Sequence, residues 1–111
     1  MAPRLKSDVW VQALVLRCKA EAVPALVAQR GDKMSGAILV RVNRLDGTSD
    51  VYQAARNGLG EQIWIRGTGT APVEEAVADK FVTRQMGFDP DVWVVEIDDR
   101  QGRHFLQEPV E

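Results

Sequence analysis

The chain has 111 residues, of which 45% are hydrophobic and 27% charged, and its formal net charge is −2. That length predicts one domain that buries enough surface to fold without a metal or a disulfide. The near balance of charge excludes a generally cationic nucleic-acid binder. One cysteine, Cys18, excludes an internal disulfide, and one histidine, His104, excludes a multi-histidine metal site.

The location is predicted from what the chain lacks. No stretch reaches the roughly 20 apolar residues that a membrane helix requires. Residues 1–7 are polar and do not resemble a cleavable signal. We therefore expect a reduced, cytoplasmic protein with no membrane contact and no cofactor.

The small net charge conceals an uneven distribution. Ten basic and six acidic residues stand in the chain through Arg66, whereas four basic and ten acidic residues follow it. Such asymmetry favours pairing between the two halves, within one chain or between two copies.

The first half of the chain predicts one helix followed by four strands. Ser7 is the expected N-cap, apolar residues recur behind it at helical spacing, and Pro24 ends the helix. Short turns then separate apolar, β-branched runs. The predicted strands are 25–30, 37–43, 50–56 and 62–66. Because the turns are short, we expect three successive antiparallel hairpins.

The second half predicts a helix and a last strand. Thr68 or Thr70 is the expected helix cap, Pro72 falls in the first turn, and Met86-Gly87 marks the stop. The run Val92–Ile97 is the most strand-like of the chain.

The order α-β-β-β-β-α-β predicts a single α+β domain spanning residues 1–111. Its sheet is expected to be mostly antiparallel, with about five strands and both helices packed on one face. Residues 1–6 and 106–111 are predicted to be loose termini.

One face of the predicted sheet gathers arginine and aromatic side chains. If the hairpin registers align, strand alternation places five residues there: Arg41, Tyr52, Arg56, Trp64 and Arg66. Such a platform suits base stacking and phosphate contacts, as in sheet-based RNA binders. The same residue types are enriched in protein interfaces, so a half-exposed sheet face or a dimer contact is the alternative that we favour.

Two other patterns carry weaker chemical signals. Arg66–Thr70 could hold an anion at a helix start, but it lacks the glycine spacing and lysine of a phosphate loop, which favours a structural turn. Glu96 and Asp98 share a strand face, as a divalent-metal hydrolase would need, but a solvated carboxylate face is the interpretation that we favour. Cys18 and His104 could form a dyad, although the apolar stripe around Cys18 favours a buried structural thiol.

The whole pattern resembles an uncharacterised alphaproteobacterial family, domain of unknown function 1491. The similarity extends from Arg4-Leu5 through Trp10–Leu14, Gly36–Val40 and Arg44–Gly47 to the distinctive run Asp89–Asp99. The resemblance implies a small α+β domain of the bacterial cytoplasm, with no assigned activity, cofactor or catalytic residue.

These observations predict a domain that acts through protein contacts, as a homodimer or with another protein partner. We expect no catalytic residues and no metal ligands. Nucleic-acid binding through the arginine and aromatic face is the alternative, and a metal-dependent hydrolase comes third.

Overall fold

The computed structural model describes residues 5–111, in which two helices and six strands are formed. The helices are α1, Ser7–Ala20, and α2, Glu75–Phe88. The strands are β1, Ala25–Gln29; β2, Ile38–Asn43; β3, Thr48–Arg56; β4, Gln62–Arg66; β5, Val73–Glu74; and β6, Trp93–Asp98. The predicted α+β class and order are confirmed, with the two-residue β5 in addition.

The last strand lies inside the sheet. The strand order is β1-β6-β2-β3-β4, with β6 antiparallel to β1 and parallel to β2. The predicted hairpin between the first two strands is therefore wrong, whereas β2–β3 and β3–β4 pair as expected. Burial explains the insertion, because Trp93, Val94, Val95 and Ile97 of β6 are all buried. A strand that is apolar on both sides is stable only in the interior of a sheet.

The two helices cover opposite faces of the sheet. Val11, Leu14 and Cys18 of α1 pack with Val40 and Val95, so we call this side the α1 face. On the other side, the α2 face, Ala78 and Val82 of α2 pack with three strand residues: Leu39, Val51 and Val94. The prediction that both helices share one face is wrong, because β2 and β6 carry apolar side chains on both sides and each side needs cover.

Both helices begin differently from what the sequence predicted. Ser7 does not cap α1 but lies inside it, and its hydroxyl donates to the carbonyl of Gly36 at 2.7 Å. Neither Thr68 nor Thr70 caps α2, because Val73 and Glu74 first pair with β3 and the helix starts at Glu75. Contacts from outside each helix thus set where it begins.

The C-terminal residues are packed against the sheet. Val110 forms a parallel bridge with Trp64, whose backbone N–H donates to the carbonyl of Pro109 at 2.8 Å. Phe105, Leu106 and Val110 add to the α1-face core. The prediction of a loose 106–111 tail is therefore wrong; the predicted looseness of residues 1–4 lies outside the described residues.

Gly31 offers a test of how tightly the loop before β2 packs on the start of β6. A Cβ atom at Gly31 would lie 2.2 Å from the carbonyl oxygen of Asp91, whereas one at Gly58 would meet nothing within 4 Å. We expect Gly31→Ala to lower the free energy of unfolding by about 1–3 kcal/mol, the usual cost of overpacking.

Urea denaturation of Gly31→Ala beside Gly58→Ala checks this expectation. The control should be neutral or slightly stabilising, by about 0.4–1 kcal/mol, because alanine restricts the unfolded chain. Equal stabilities of the two variants would contradict the packing described.

Candidate functional site

The five predicted platform residues do not share one face. Tyr52 lies opposite Val40 and Arg66, which places it on the α1 face with Trp64 and Arg56. Arg41 alternates with Val40 and points to the α2 face, where its guanidinium pairs with Asp79 of α2. The sequence predicted that Arg41 and Tyr52 share a face. That prediction is wrong, because a register that differs by one residue moves a side chain to the opposite face.

The aromatic members of that set are buried. Tyr52 is 1% and Trp64 0% exposed, because α1 and the C-terminal segment cover them. The ring of Trp10 packs on that of Trp64 with 5.2 Å between centroids, and the Trp64 indole N–H donates to Glu108 at 2.8 Å. These rings are therefore core side chains in this structure, and the open stacking surface that an RNA platform requires is not formed by them. Binding of nucleic acid through these residues stays a prediction.

A buried carboxylate organises the polar side of the α1 face. Asp50 is 2% exposed and accepts a hydrogen bond from Arg44 Nε at 2.9 Å. Its other oxygen lies 3.8 Å from Arg66 Nη1, which donates to the hydroxyl of Tyr52 at 3.0 Å. His104 meets the edge of the Tyr52 ring, with 5.0 Å between centroids. We call these five residues, Arg44, Asp50, Tyr52, Arg66 and His104, the Asp50 cluster.

The titration of two members of the Asp50 cluster, His104 and Tyr52, follows mainly from their burial. Burial lowers the pKa of His104, and the nearby Arg66 guanidinium lowers it further, against a smaller opposing effect of Asp50. Burial also raises the pKa of the Tyr52 hydroxyl. Neutral forms of both side chains are thus favoured, and Nδ1 of His104 accepts the backbone N–H of Leu106 at 2.9 Å. The cluster holds the C-terminal segment on the sheet.

Glu96 and Asp98 share a face, as predicted, and it is the α2 face, because they lie opposite Arg41 and Asn43. Glu96 lines a cleft of about 260 Å³ with four other residues: Arg41, Asn43, Glu75 and Asp79. The Arg41 guanidinium neutralises part of the carboxylate charge there. Within residues 5–111, no three His, Cys, Asp or Glu side chains form a group able to hold a metal ion.

Cys18 is a buried thiol, as the apolar stripe predicted. Its side chain is 0% exposed within the α1-face core. Burial raises the pKa of the Cys18 thiol, which disfavours the thiolate that a nucleophile needs. Cys18 therefore serves packing.

The glycine-rich segment after β4 is a structural turn. A Cβ atom at Gly67 would lie 2.4 Å from the Phe81 ring, and Gly69 has a φ of +100°. Gly67 is thus required for α2 to approach the sheet. Since α2 begins at Glu75, the segment does not adjoin the helix start as an anion site would need.

The uneven charge distribution explains only part of the ion pairing. Arg41–Asp79 joins the basic half to the acidic half. The other pairs of residues 5–111 stay within one half: Arg44–Asp50, Arg66–Asp50 and Arg103–Asp99.

The two edges of the sheet differ, and sequence reasoning missed this difference. At the β4 edge, Pro109–Glu111 run alongside Trp64 and occupy its backbone groups. The β1 edge has no neighbouring strand among the described residues. Leu26 and Val27 of β1 are 55% and 37% exposed. The signal in the sequence was an apolar, uncharged strand, Ala25–Gln29. The sequence predicted that this strand pairs with β2, whereas it pairs with β6.

Comparison with known proteins assigns the family. Residues 5–107 match the family described as "Protein of unknown function (DUF1491)". The chain belongs to the DUF1491 family. No curated protein matches the chain.

Solved structures of the DUF1491 family share this fold. The crystal structure of a family protein from Caulobacter crescentus CB15 is 43% identical, with a TM-score of 0.88, over 97% of this chain and all 100% of that one. The NMR structure of a family protein from the same organism is 42% identical, with a TM-score of 0.86, over 99% of each chain. A solution structure from A. tumefaciens is 32% identical, with a TM-score of 0.76, over 96% of this chain and 95% of that one. Neither helix among residues 5–111 is long and apolar enough to cross a membrane.

Replacing Asp50 tests the electrostatic role of the Asp50 cluster. Asp50→Asn keeps the shape but leaves the guanidiniums of Arg44 and Arg66 without their shared carboxylate. We expect a loss of about 2–3 kcal/mol in the free energy of unfolding, since both arginines stay partly exposed. Asp91→Asn, at an exposed residue, is the control. A change within about 0.5 kcal/mol, as for ordinary surface substitutions, would contradict this role.

The lowered pKa of His104 predicts a loss of stability in mild acid. The unfolded chain takes up a proton near pH 6.5, whereas the folded chain does so only at lower pH. The free energy of unfolding should therefore fall as the pH drops below 6.5 and level off once the folded imidazole is protonated.

His104→Asn retains an acceptor for the Leu106 N–H and should remove this slope in urea titrations across that range. The remaining acid sensitivity should begin lower, where Asp99 titrates, because its hydrogen bonds with Arg103 lower the pKa of that carboxyl from 3.8. An unchanged slope in His104→Asn would show that another group is responsible.

Proposed function

We propose that this protein is a non-catalytic interaction domain that assembles with a second copy through the β1 edge. The supporting observation is that β1 is an exposed, uncharged edge strand, whereas the opposite edge carries the C-terminal segment. Proteins usually protect edge strands with charge, proline or cover, because unpaired backbone groups recruit other strands. We also propose the bacterial cytoplasm as its location, where a buried free thiol such as Cys18 stays reduced.

The backbone of β1 presents a short pairing segment. The carbonyl of Pro24 accepts the N–H of Asp98, so it faces β6. Because backbone groups alternate along an antiparallel strand, those of Leu26 also face β6 and those of Ala25 and Val27 face outward. The register shifts between Val27 and Gln29, which ends the regular ladder there.

These constraints favour one arrangement of two copies, the one that pairs both outward-facing residues of each strand. A two-fold axis perpendicular to the sheet pairs the strands antiparallel and keeps like faces on the same side. Centring the axis at Leu26 places Ala25 opposite Val27 of the second copy, where their outward N–H and C=O groups can form hydrogen-bonded pairs. Leu26 then lies opposite its own copy on the α2 face, which covers two exposed leucines.

Charge favours a second copy as the occupant. The paired segment carries no charge, so like charges do not oppose each other across the interface. The antiparallel arrangement also brings Arg30, whose guanidinium lies over the Trp93 ring of its own chain, toward the Pro24 end of the second copy, where Glu21 precedes Pro24 by three residues. Opposite charges thus stand near both ends of the paired segment.

Cysteine cross-linking tests both the assembly and its register. Leu26→Cys should form an intermolecular disulfide on mild oxidation, because facing residues of a non-hydrogen-bonded pair lie about 4.5 Å apart between Cα atoms. The native Cys18 is buried and should not compete. Val27→Cys is the register control, since in this arrangement its copies lie diagonally apart.

A surface control completes the cross-linking experiment. Leu59 is 84% exposed and distant from β1 in the sheet order, so Leu59→Cys should cross-link only slowly. Equal cross-linking of all three variants would mean random collision and would contradict the arrangement.

Removing one outward donor should dissociate the pair without unfolding the domain. Val27→Pro deletes an N–H that faces outward, which a free edge tolerates but a paired edge does not. Sedimentation should then show a monomer with an unchanged unfolding midpoint, whereas the unmodified protein shows a concentration-dependent dimer. A monomer at every concentration of the unmodified protein would overturn the proposal.

A further inference from the structure

We propose that a groove on the α1 face binds a small organic anion with an apolar body. The groove lies between the start of α1, the loop before β2 and the ends of β3 and β4; it is open to solvent and has a volume of about 720 Å³. Sites for small molecules usually hold about 300–1,000 Å³. The groove lies at β2–β4 and the β1 edge lies beyond β6, so this inference does not depend on the proposed assembly.

The groove exists because side-chain size falls along β3. Tyr52 fills the α1-face core, but the next residue on that face is Ala54, which lies opposite Trp64. Trp10 of α1 packs on Trp64 and closes one side without reaching over Ala54. The result is a recess floored by Trp10, Ile38 and Ala54.

The wall opposite Trp10 is fixed by hydrogen bonds. The Ser7 hydroxyl donates to the carbonyl of Gly36, and the backbone N–H groups of Ser7 and Asp8 donate to Met34 and Lys33. A Cβ atom at Gly36 would lie 2.6 Å from the carbonyl of Asp91, so the loop has no room to shift inward. The groove is therefore formed before any ligand arrives, which reduces the entropic cost of binding.

Two exposed apolar side chains stand at the rim of the groove. Leu5 and Met34 both line the groove and are 60% and 58% exposed. Half-buried Trp10 adds to this apolar surface. The side chains of residues 5–111 leave Leu5 and Met34 exposed, so a ligand could cover them. An apolar lining with a few polar groups is typical of ligand sites.

The charged groups of the rim select an anion. Lys6 and Arg56 line the groove, and neither takes part in an ion pair within the described chain. Arg56 Nη1 donates to the carbonyl of Gly60 at 2.7 Å, which holds the guanidinium while leaving its other N–H groups for a ligand. The one lining carboxylate, Glu108, accepts the Trp64 indole N–H and keeps its negative charge, so the two cations leave the lining with a net charge of +1. A carboxylate would therefore find cations at the rim, and its hydrocarbon body would lie on Trp10.

Paired probes test the anion and the apolar body separately. Octanoate and octanol share one aliphatic body, and naphthoate and naphthalenemethanol share one aromatic body. Binding is followed through NMR shifts of the Trp10 indole N–H and of the Gly36 amide. Each acid should bind about tenfold more tightly than its alcohol, the contribution of one charge-assisted hydrogen bond. The tighter of the two acids identifies the body as aliphatic or aromatic.

Variants locate the site. Ala54→Leu fills the recess and should abolish binding of both acids, whereas Ala76→Leu, at an exposed alanine of α2, should leave it unchanged. Arg56→Gln should weaken the acids about tenfold and leave the alcohols unaffected, with Arg84→Gln as its control. Thermal unfolding of each variant shows that the domain is intact.

Three results would overturn the proposal. Equal affinity for acid and alcohol would remove the anion requirement. Full binding by a folded Ala54→Leu variant would place the ligand elsewhere. An unchanged protein spectrum with every probe at millimolar concentration would show that the groove binds none of these ligands.

Discussion

The whole architecture depends on the parallel pairing of β2 with β6. Both strands are apolar on each side, with Val40 and Val95 facing α1 and Leu39 and Val94 facing α2. Such strands must be flanked by other strands and covered above and below, since exposing either face would leave apolar surface in water. One helix per face and a flanking strand at each side, β1 and β3, satisfy that requirement. This arrangement leaves β1 at one edge of the sheet and β4 at the other.

The edges of the sheet are where we propose that the chain meets other molecules. Polar side chains collect where the core thins, at the Asp50 cluster on one face and beside Arg41 on the other. The C-terminal segment seals the Asp50 cluster, with Arg17 of α1 donating to the carbonyl of Phe105 at 3.0 and 3.2 Å. What this leaves accessible is the outward side of β1 and the recess beside Trp10. Both features are therefore consequences of how the core is covered.

Local patterns in the sequence were sufficient for the elements but not for their partners. Periodicity, β-branching and turn residues identified both helices and the five longer strands, because those signals act within a few residues. The pairing of β6 with β1 and β2 joins residues 55 to 72 apart in the chain, and turn length carries no information about it. The predicted face of Arg41 was wrong for a related reason, because that prediction required the register across the β2–β3 turn.

The buried and docked polar residues were equally beyond local reasoning. Asp50 looked like one more charged residue of a strand, and only the fold shows that Arg44 and Arg66 enclose it. The tail looked polar, yet Phe105, Leu106 and Val110 are spaced to reach the core once β4 is in place. The family resemblance, by contrast, was carried by contiguous runs and was recovered correctly.

The backbone of Pro109–Glu111 lies along β4, and its position limits the number of copies in the proposed assembly. A sheet with two open edges can add copies at both ends and grow without limit into a filament. With one edge already occupied by residues 109–111, the pairing that we propose through β1 would use the remaining edge, and growth would stop at two copies. In that assembly, residues 109–111 would prevent further strand addition at β4. A protease that removed them would convert a closed pair into a unit that can elongate.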